Sequence, residues 1–185
     1  MSCATRRRTF IKGIAATVAL RPGLGLAGVA SEDTLALLEP VVISRAELDT
    51  AGGSVAFEAW FRTGERDRLV GGLLLDLERI LPATPAWRSP DESALAAYVT
   101  NCPHEACKVR LESDPEILAK ASDGASIPAG PVLFCPCHFS MFDLNKDGTR
   151  FAGPAWRGLY RFVVDVRGSS IIVSRLERAV VDLFG

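Results

Sequence analysis

The sequence predicts a mostly β domain behind a short N-terminal leader. Three observations carry that prediction. Val55 to Phe61 alternates as a half-buried strand requires, with Val55, Phe57, Ala59 and Phe61 on one face. Tyr160 to Val166 and Ile171 to Val173 flank the turn Arg167-Gly168-Ser169-Ser170, the pattern of a β-hairpin. Two short strand-like pieces, Ala94 to Thr100 and Val132 to Phe134, each run directly into a cluster of cysteine and histidine.

Taken in chain order, the elements begin with the leader. Arg6-Arg7-Arg8-Thr9-Phe10-Ile11-Lys12 precedes a Gly/Ala-rich apolar run to Ala30 and resembles a twin-arginine export signal. Arg21 and Pro22 interrupt that run, and a charge near the centre of a membrane span costs about 2.5–3.5 kcal/mol on insertion scales. Gly28 and Ala30 suit cleavage before Ser31. Retention as a tilted or partner-supported anchor stays open. Cys3 reads as a bystander within the leader. The expected organisation is therefore residues 1–30 as signal or possible membrane anchor and residues 31–185 as one domain, with a metal-binding subdomain at about 100–158.

Leu73-Leu74-Leu75-Asp76-Leu77 is too short for its period to separate strand from helix, and Pro82, Pro85 and Pro90 mark a loop. Glu112 to Gly130 is a polar excursion that reads as an insertion, with one helical turn around Pro115 to Lys120. Nearly half the residues are hydrophobic and the formal net charge is −1, which excludes the basic face of a nucleic-acid binder.

The chemistry lies in the cysteines and histidines. Four of the five Cys and both His fall in Cys102-Pro103-His104-Glu105-Ala106-Cys107 and Cys135-Pro136-Cys137-His138. Cys102 with His104 and Cys135 with His138 each offer one sulfur and one nitrogen from a tight loop. Two thiolates on one iron and two imidazoles on the other make the Rieske arrangement of a 2Fe-2S cluster, in which neutral imidazole raises the reduction potential. Zinc does not fit as well, because six candidate ligands exceed a four-coordinate ion. A mononuclear-iron oxygenase would need further histidines, and this chain has only two.

These two loops resemble the cluster-binding loops of the high-potential Rieske proteins of respiratory complexes, over about 55 residues from Cys102 to about Gly158. The resemblance implies a Rieske-type antiparallel β-sandwich with a small cluster-binding subdomain. It implies Cys102, His104, Cys135 and His138 as ligands of one 2Fe-2S cluster, and a disulfide between Cys107 and Cys137. Such a bond would close a loop of about 30 residues, worth roughly 3–4 kcal/mol, and fits an oxidising location. Gly153-Pro154-Ala155 is similar to the family's loop over the cluster. Ser140 matches a serine that donates to a bridging sulfide and so raises the potential.

Several positions depart from the cytochrome bc-type pattern. Phe139 stands where Gly follows the second histidine, Phe142 where a Tyr hydroxyl commonly reaches a ligand sulfur, and Glu105 where an apolar residue is common. The absent hydroxyl at Phe142 implies a potential below that of a typical quinol-cytochrome c reductase centre. The span from His104 to Cys135 is nearly twice the family's usual one. The Cys-Pro-Cys-His-Phe-Ser-x-Phe-Asp form resembles the small subunit of arsenite oxidase, whereas Arg157-Gly158-Leu159 after Gly-Pro-Ala leans toward bc-type proteins.

The resemblance implies an electron-transfer subunit facing the periplasm, which does no bond chemistry alone and passes electrons to a c-type cytochrome. Three parents stay open: a cytochrome b complex oxidising quinol, a molybdenum subunit in an arsenite oxidase, or no enzyme at all, as a freestanding carrier. Trp60, Trp87 and Trp156 read as packing residues. Asp143, Asn145, Asp147 and Gly148 read as a polar turn, since the Glu a calcium loop needs is missing.

Overall fold

A computed structural model of the protein describes residues 33–81 and 94–184. The leader with its arginines and Cys3, the proline-marked loop and Trp87 lie outside the described residues. The described residues form ten strands, all paired antiparallel. They are β1 Thr34–Ser44, β2 Ser54–Thr63, β3 Arg66–Asp76, β4 Leu95–Val99, β5 Arg110–Glu112, β6 Val132–Cys135, β7 Ser140–Asp143, β8 Thr149–Ala152, β9 Phe162–Arg167 and β10 Ser170–Glu177. Three short helices interrupt them: α1 Arg45–Thr50, α2 Leu77–Ile80 and α3 Pro115–Ala121.

Six strands form one sheet in the order β4-β3-β2-β1-β10-β9, and four form a second in the order β5-β6-β7-β8. The first sheet curls until its two edges meet. Tyr98 on β4 bridges Arg161, and the Val99 N–H donates to the Tyr160 carbonyl at 2.8 Å. The apolar run from Leu73 is the end of β3, and Leu77 opens α2, whose first turn is capped by Asp76.

Strand β4 explains how the two sheets share a molecule. All five of its residues are buried. Leu95, Ala97 and Val99 join the core inside the six-stranded sheet with Phe61, Leu74 and Tyr160. Ala96 and Tyr98 join a second core with Leu133, Phe142, Cys102 and Cys135. Alternate side chains of a strand point to opposite faces, so a strand covered on both faces reads as continuously apolar.

The excursion between the clusters has a structural use. Asp114 caps α3 by accepting from the backbone N–H groups of Glu116 and Ile117, and Pro115 fits the first helical position. Leu118 then packs with Val132, Phe134, Met141 and Ala152 in a third, smaller core. Among the described residues, no helix is long and apolar enough to cross a membrane.

Candidate metal centre

Both Cys/His clusters stand at the ends of strands anchored in the second core. The first loop leaves β4 and closes on itself: the Cys102 N–H donates to the Cys107 carbonyl and the Ala106 N–H to the Cys102 carbonyl, each at 2.8 Å. Asn101 ties this loop to the large sheet. Its Nδ2 donates to the Ala106 carbonyl at 3.2 Å, and its Oδ1 accepts from the Gly71 N–H at 3.4 Å. The second loop is the turn of the β6-β7 hairpin, with Cys135 and Ser140 as its closing pair.

The structure joins the loops by a disulfide between Cys107 and Cys137, with the Cα atoms 6.5 Å apart. Cys102 and Cys135 are buried and unbridged. Burial pushes the Cys102 thiol up to about 11, the adjacent Cys135 adds to the rise, and hydrogen bonds from the His104 backbone N–H and the Ser140 hydroxyl oppose it. The His104 and His138 rings meet edge to face, their centroids 4.8 Å apart. Two sulfurs therefore sit at the base of the loops, with two imidazoles beyond them.

Chemistry in this arrangement points to a bound metal group. Among the described residues, His104 Nδ1 is one of the few buried side-chain nitrogens or oxygens without a hydrogen-bond partner. Leaving such an atom unsatisfied costs about 1–3 kcal/mol, which a metal bond removes. The paired thiols give the same indication, since a metal favours the thiolates that burial alone disfavours. His104, Glu105 and His138 also bring one ligand atom each within 4.8 Å of one another, but the Glu105 carboxylate lies 3.8 Å from His138 Nδ1, beyond hydrogen-bond length.

The Gly153-Pro154-Ala155 loop lies against the second loop. Gly153 has φ of +80°, and a Cβ there would come within 2.4 Å of Ser140 Cα and 2.6 Å of the Phe139 carbonyl oxygen. Only glycine permits that approach. Pro154 follows, and the Ala155 N–H donates to Ser140 Oγ at 3.0 Å. The serine hydroxyl thus accepts from the covering loop, and it is one of the groups that hold the Cys102 thiol down. Phe142 is fully buried opposite Leu133 and brings no hydroxyl.

Two aromatic residues depart from a packing role. Trp156 is 61% exposed and Trp60 is 50% exposed. The Trp156 indole instead donates to the Pro103 carbonyl at 2.8 Å. Sequence reasoning missed this contact, as it missed Asn101. A polar residue directly before the first cysteine was the available signal for Asn101, but a partner 53 positions away leaves no local trace for Trp156.

The polar turn at Asp143 to Gly148 supports the site from below. Asp143 caps a 3-10 turn over Leu144–Lys146, and Asp147 receives Tyr98 Oη at 3.4 Å and pairs with Arg161. Burial raises the Asp147 carboxyl while Arg161 opposes the rise.

Residues 73–163 match the family model of the Rieske [2Fe-2S] domain. No curated protein matches the sequence. Among solved structures, the chain is similar to the cyanobacterial plasma membrane Rieske protein of Synechocystis PCC 6803, at 20% identity and a TM-score of 0.39, covering 70% of this chain and 93% of that one. It is also similar to the soluble domain of Rieske protein II from Sulfolobus acidocaldarius, at 19% identity and a TM-score of 0.47, covering 73% and 76%.

Proposed function

We propose that the chain acts as a Rieske electron-transfer protein, its domain matched over residues 73–163 binding a single 2Fe-2S cluster with Cys102, His104, Cys135 and His138 as the four ligands. The observation that carries the assignment is the pairing of two buried, unbridged thiols with a buried, unpartnered His104 Nδ1 inside loops joined by a disulfide. When bound, the cluster supplies a one-electron couple.

The chain's own residues set the conditions for that couple. Cys102 and Cys135 supply anionic sulfur from the apolar core, and Ser140 donates toward Cys102, which stabilises added negative charge. His104 and His138 carry the outer nitrogens. Gly153, Pro154 and Ala155 cover the second loop, and the disulfide keeps both loops in register.

Rieske proteins work with partner subunits, and the reading proposed for this one is the iron–sulfur subunit of a quinol-cytochrome c reductase of the cytochrome bc type. Its domain would face the periplasm and deliver electrons to a c-type cytochrome. Support comes from Gly-Pro-Ala followed by Arg157-Gly158-Leu159. The second reading, the small subunit of an arsenite oxidase fed by a molybdenum subunit, is favoured by the exposed Phe139 and the buried Phe142.

Anaerobic purification followed by iron and sulfide analysis and electron paramagnetic resonance of the reduced protein tests the ligand assignment. Two irons and two sulfides with the low average g value of mixed sulfur and nitrogen ligation are expected. An all-thiolate spectrum refutes it. A mild-detergent pull-down then separates the parents: cytochrome b supports the first, a molybdenum protein the second, and no stable partner leaves a freestanding carrier.

A further inference from the structure

Two neighbouring residues, Ala155 and Trp156, each bond to a different Cys/His loop. The Ala155 N–H donates to Ser140 Oγ at 3.0 Å at the close of the second loop, and the Trp156 indole donates to the Pro103 carbonyl at 2.8 Å in the first. The disulfide from Cys107 to Cys137 joins the same two loops at other points. His104 therefore lies between the ties at Pro103 and Cys107, and His138 between those at Cys137 and Ser140. Two bodies joined at one point pivot about it, whereas a second point removes the pivot.

The segment that makes the second tie is itself fixed. Gly153 at φ of +80° lets its backbone approach Ser140, which brings the Ala155 N–H to the Ser140 hydroxyl. The Arg157 guanidinium lies 5.6 Å from the Trp156 ring and 4.2 Å from the Tyr160 ring, and pairs with Glu177 on β10. The tie is thus braced from the large sheet rather than from either loop. It also differs from the disulfide in chemistry. Cys137 is exposed, so its bond to Cys107 is open to a reductant, whereas hydrogen bonds from an amide and an indole have no electrons to gain.

We propose that Ala155 and Trp156 form a second tie between the two loops, one that survives reduction of the disulfide, and that Trp156 is thereby a positioning residue for His104 and His138. The ligand role of the two histidines rests on the function proposed above. With both ties present, loss of either leaves the loops held, and only loss of both frees them. The Trp156 side chain is largely exposed, so Trp156→Phe removes the N–H donor and disturbs little packing.

The test uses full-length, cluster-loaded wild type, W156F and, as a control for loss of an exposed indole on the large sheet, W60F. Each is loaded first and then treated with tris(2-carboxyethyl)phosphine, which becomes the phosphine oxide and leaves two thiols, so no variant has to fold without the disulfide. Iron release to a chelator should quicken by no more than about threefold on either change alone. In phosphine-treated W156F it should exceed the product of the two single effects by about tenfold. The g values of the reduced cluster should hold in each singly changed protein and move in the doubly changed one. W60F should follow wild type throughout. In the wild type, the Trp156 indole N–H should exchange more slowly than that of Trp60, both before and after phosphine treatment.

Single effects that merely multiply, in a protein carrying the mixed-ligand signal, overturn the second tie and leave the ligand assignment standing. Indole exchange at Trp156 that rises to the Trp60 rate once the disulfide is reduced overturns it as well. Wild-type protein without the mixed-ligand signal overturns the ligand assignment and, with it, the positioning role of Trp156.

Discussion

Replacing Ser140 by alanine removes one oxygen that serves two partners. Ser140 is fully buried; its Oγ accepts from the Ala155 N–H at 3.0 Å, and its hydroxyl is one of the groups that hold the Cys102 thiol down. The first loss strands a buried backbone donor, which costs about 1–3 kcal/mol. For a chain of this size that lowers the thermal midpoint by about 2–4 °C per kcal/mol. The second loss removes a donor that binds the reduced, more negative centre better than the oxidised one. If that difference is about 1 kcal/mol, the potential falls by about 40 mV, since 1.36 kcal/mol corresponds to 59 mV for one electron. The assay is a redox titration followed by circular dichroism, paired with urea unfolding of the same cluster-loaded sample. Ser140→Thr keeps the hydroxyl and should recover most of the potential. An S140A protein with both potential and stability at wild-type values would refute the two-partner account, and a potential shift that S140T fails to recover would refute the role of the hydroxyl.

Replacing Cys107 and Cys137 together by serine opens a closure with a sequence separation of 30; chain entropy puts the loss at about 3.6 kcal/mol, read by urea unfolding, and a loss under about 1 kcal/mol would contradict it. Gly153→Ala sets a Cβ against the Ser140 and Phe139 backbone at positive φ. It should cost at least about 2 kcal/mol and lower cluster retention after dialysis, measured as iron per chain; full retention at wild-type stability contradicts the close approach. Phe139→Gly relieves a φ of +61° but gives up stacking on Phe134 at 6.2 Å. These terms are each about 1 kcal/mol and opposed, so stability should stay within about 1 kcal/mol of wild type, and a loss above about 2 kcal/mol would show that the ring does more than stack.

What was legible in the sequence was local. The alternation at Val55 to Phe61 lies within β2, its inward face as expected, and the strand-like pieces before each cysteine cluster are β4 and β6. The helical turn around Pro115 carries its own cap, so it could be read from six residues. The hairpin near the C-terminus starts at Phe162 rather than Tyr160, because the Tyr160 backbone pairs with Val99 instead of extending β9. Strand β1 gave no signal. Its register against β10 shifts between Ala36 and Val41, around Pro40, and a bulge resets which face each later residue occupies, so alternation is lost. The edge-to-edge meeting of β4 and β9 and the bond from Trp156 to Pro103 depend on residues more than 50 positions apart, and no local pattern encodes such contacts.

The cost of shaping the two loops falls where it can be resisted. Among the described residues, four non-glycines have positive φ: Ala106, Asp123, Phe139 and Asp147. Aspartate tolerates that region because its short side chain bonds nearby backbone, but alanine and phenylalanine are held there at about 1–2 kcal/mol each. Those two sit one in each Cys/His loop, Ala106 directly before Cys107 and Phe139 two residues after Cys137. Strain of this kind persists only where surrounding contacts over-determine the backbone. Here the disulfide joins the strained loops, Asn101 holds the Ala106 carbonyl, and Gly153 lies against Phe139 and Ser140. A centre that gains and loses an electron is best served by ligands that do not relax between the two states, because any relaxation must be undone at each transfer. The same contacts that hold Ala106 and Phe139 in costly conformations therefore keep the cysteine and histidine side chains of the two loops in one arrangement, which is the physical reason to place strain at these loops rather than in the described strands behind them.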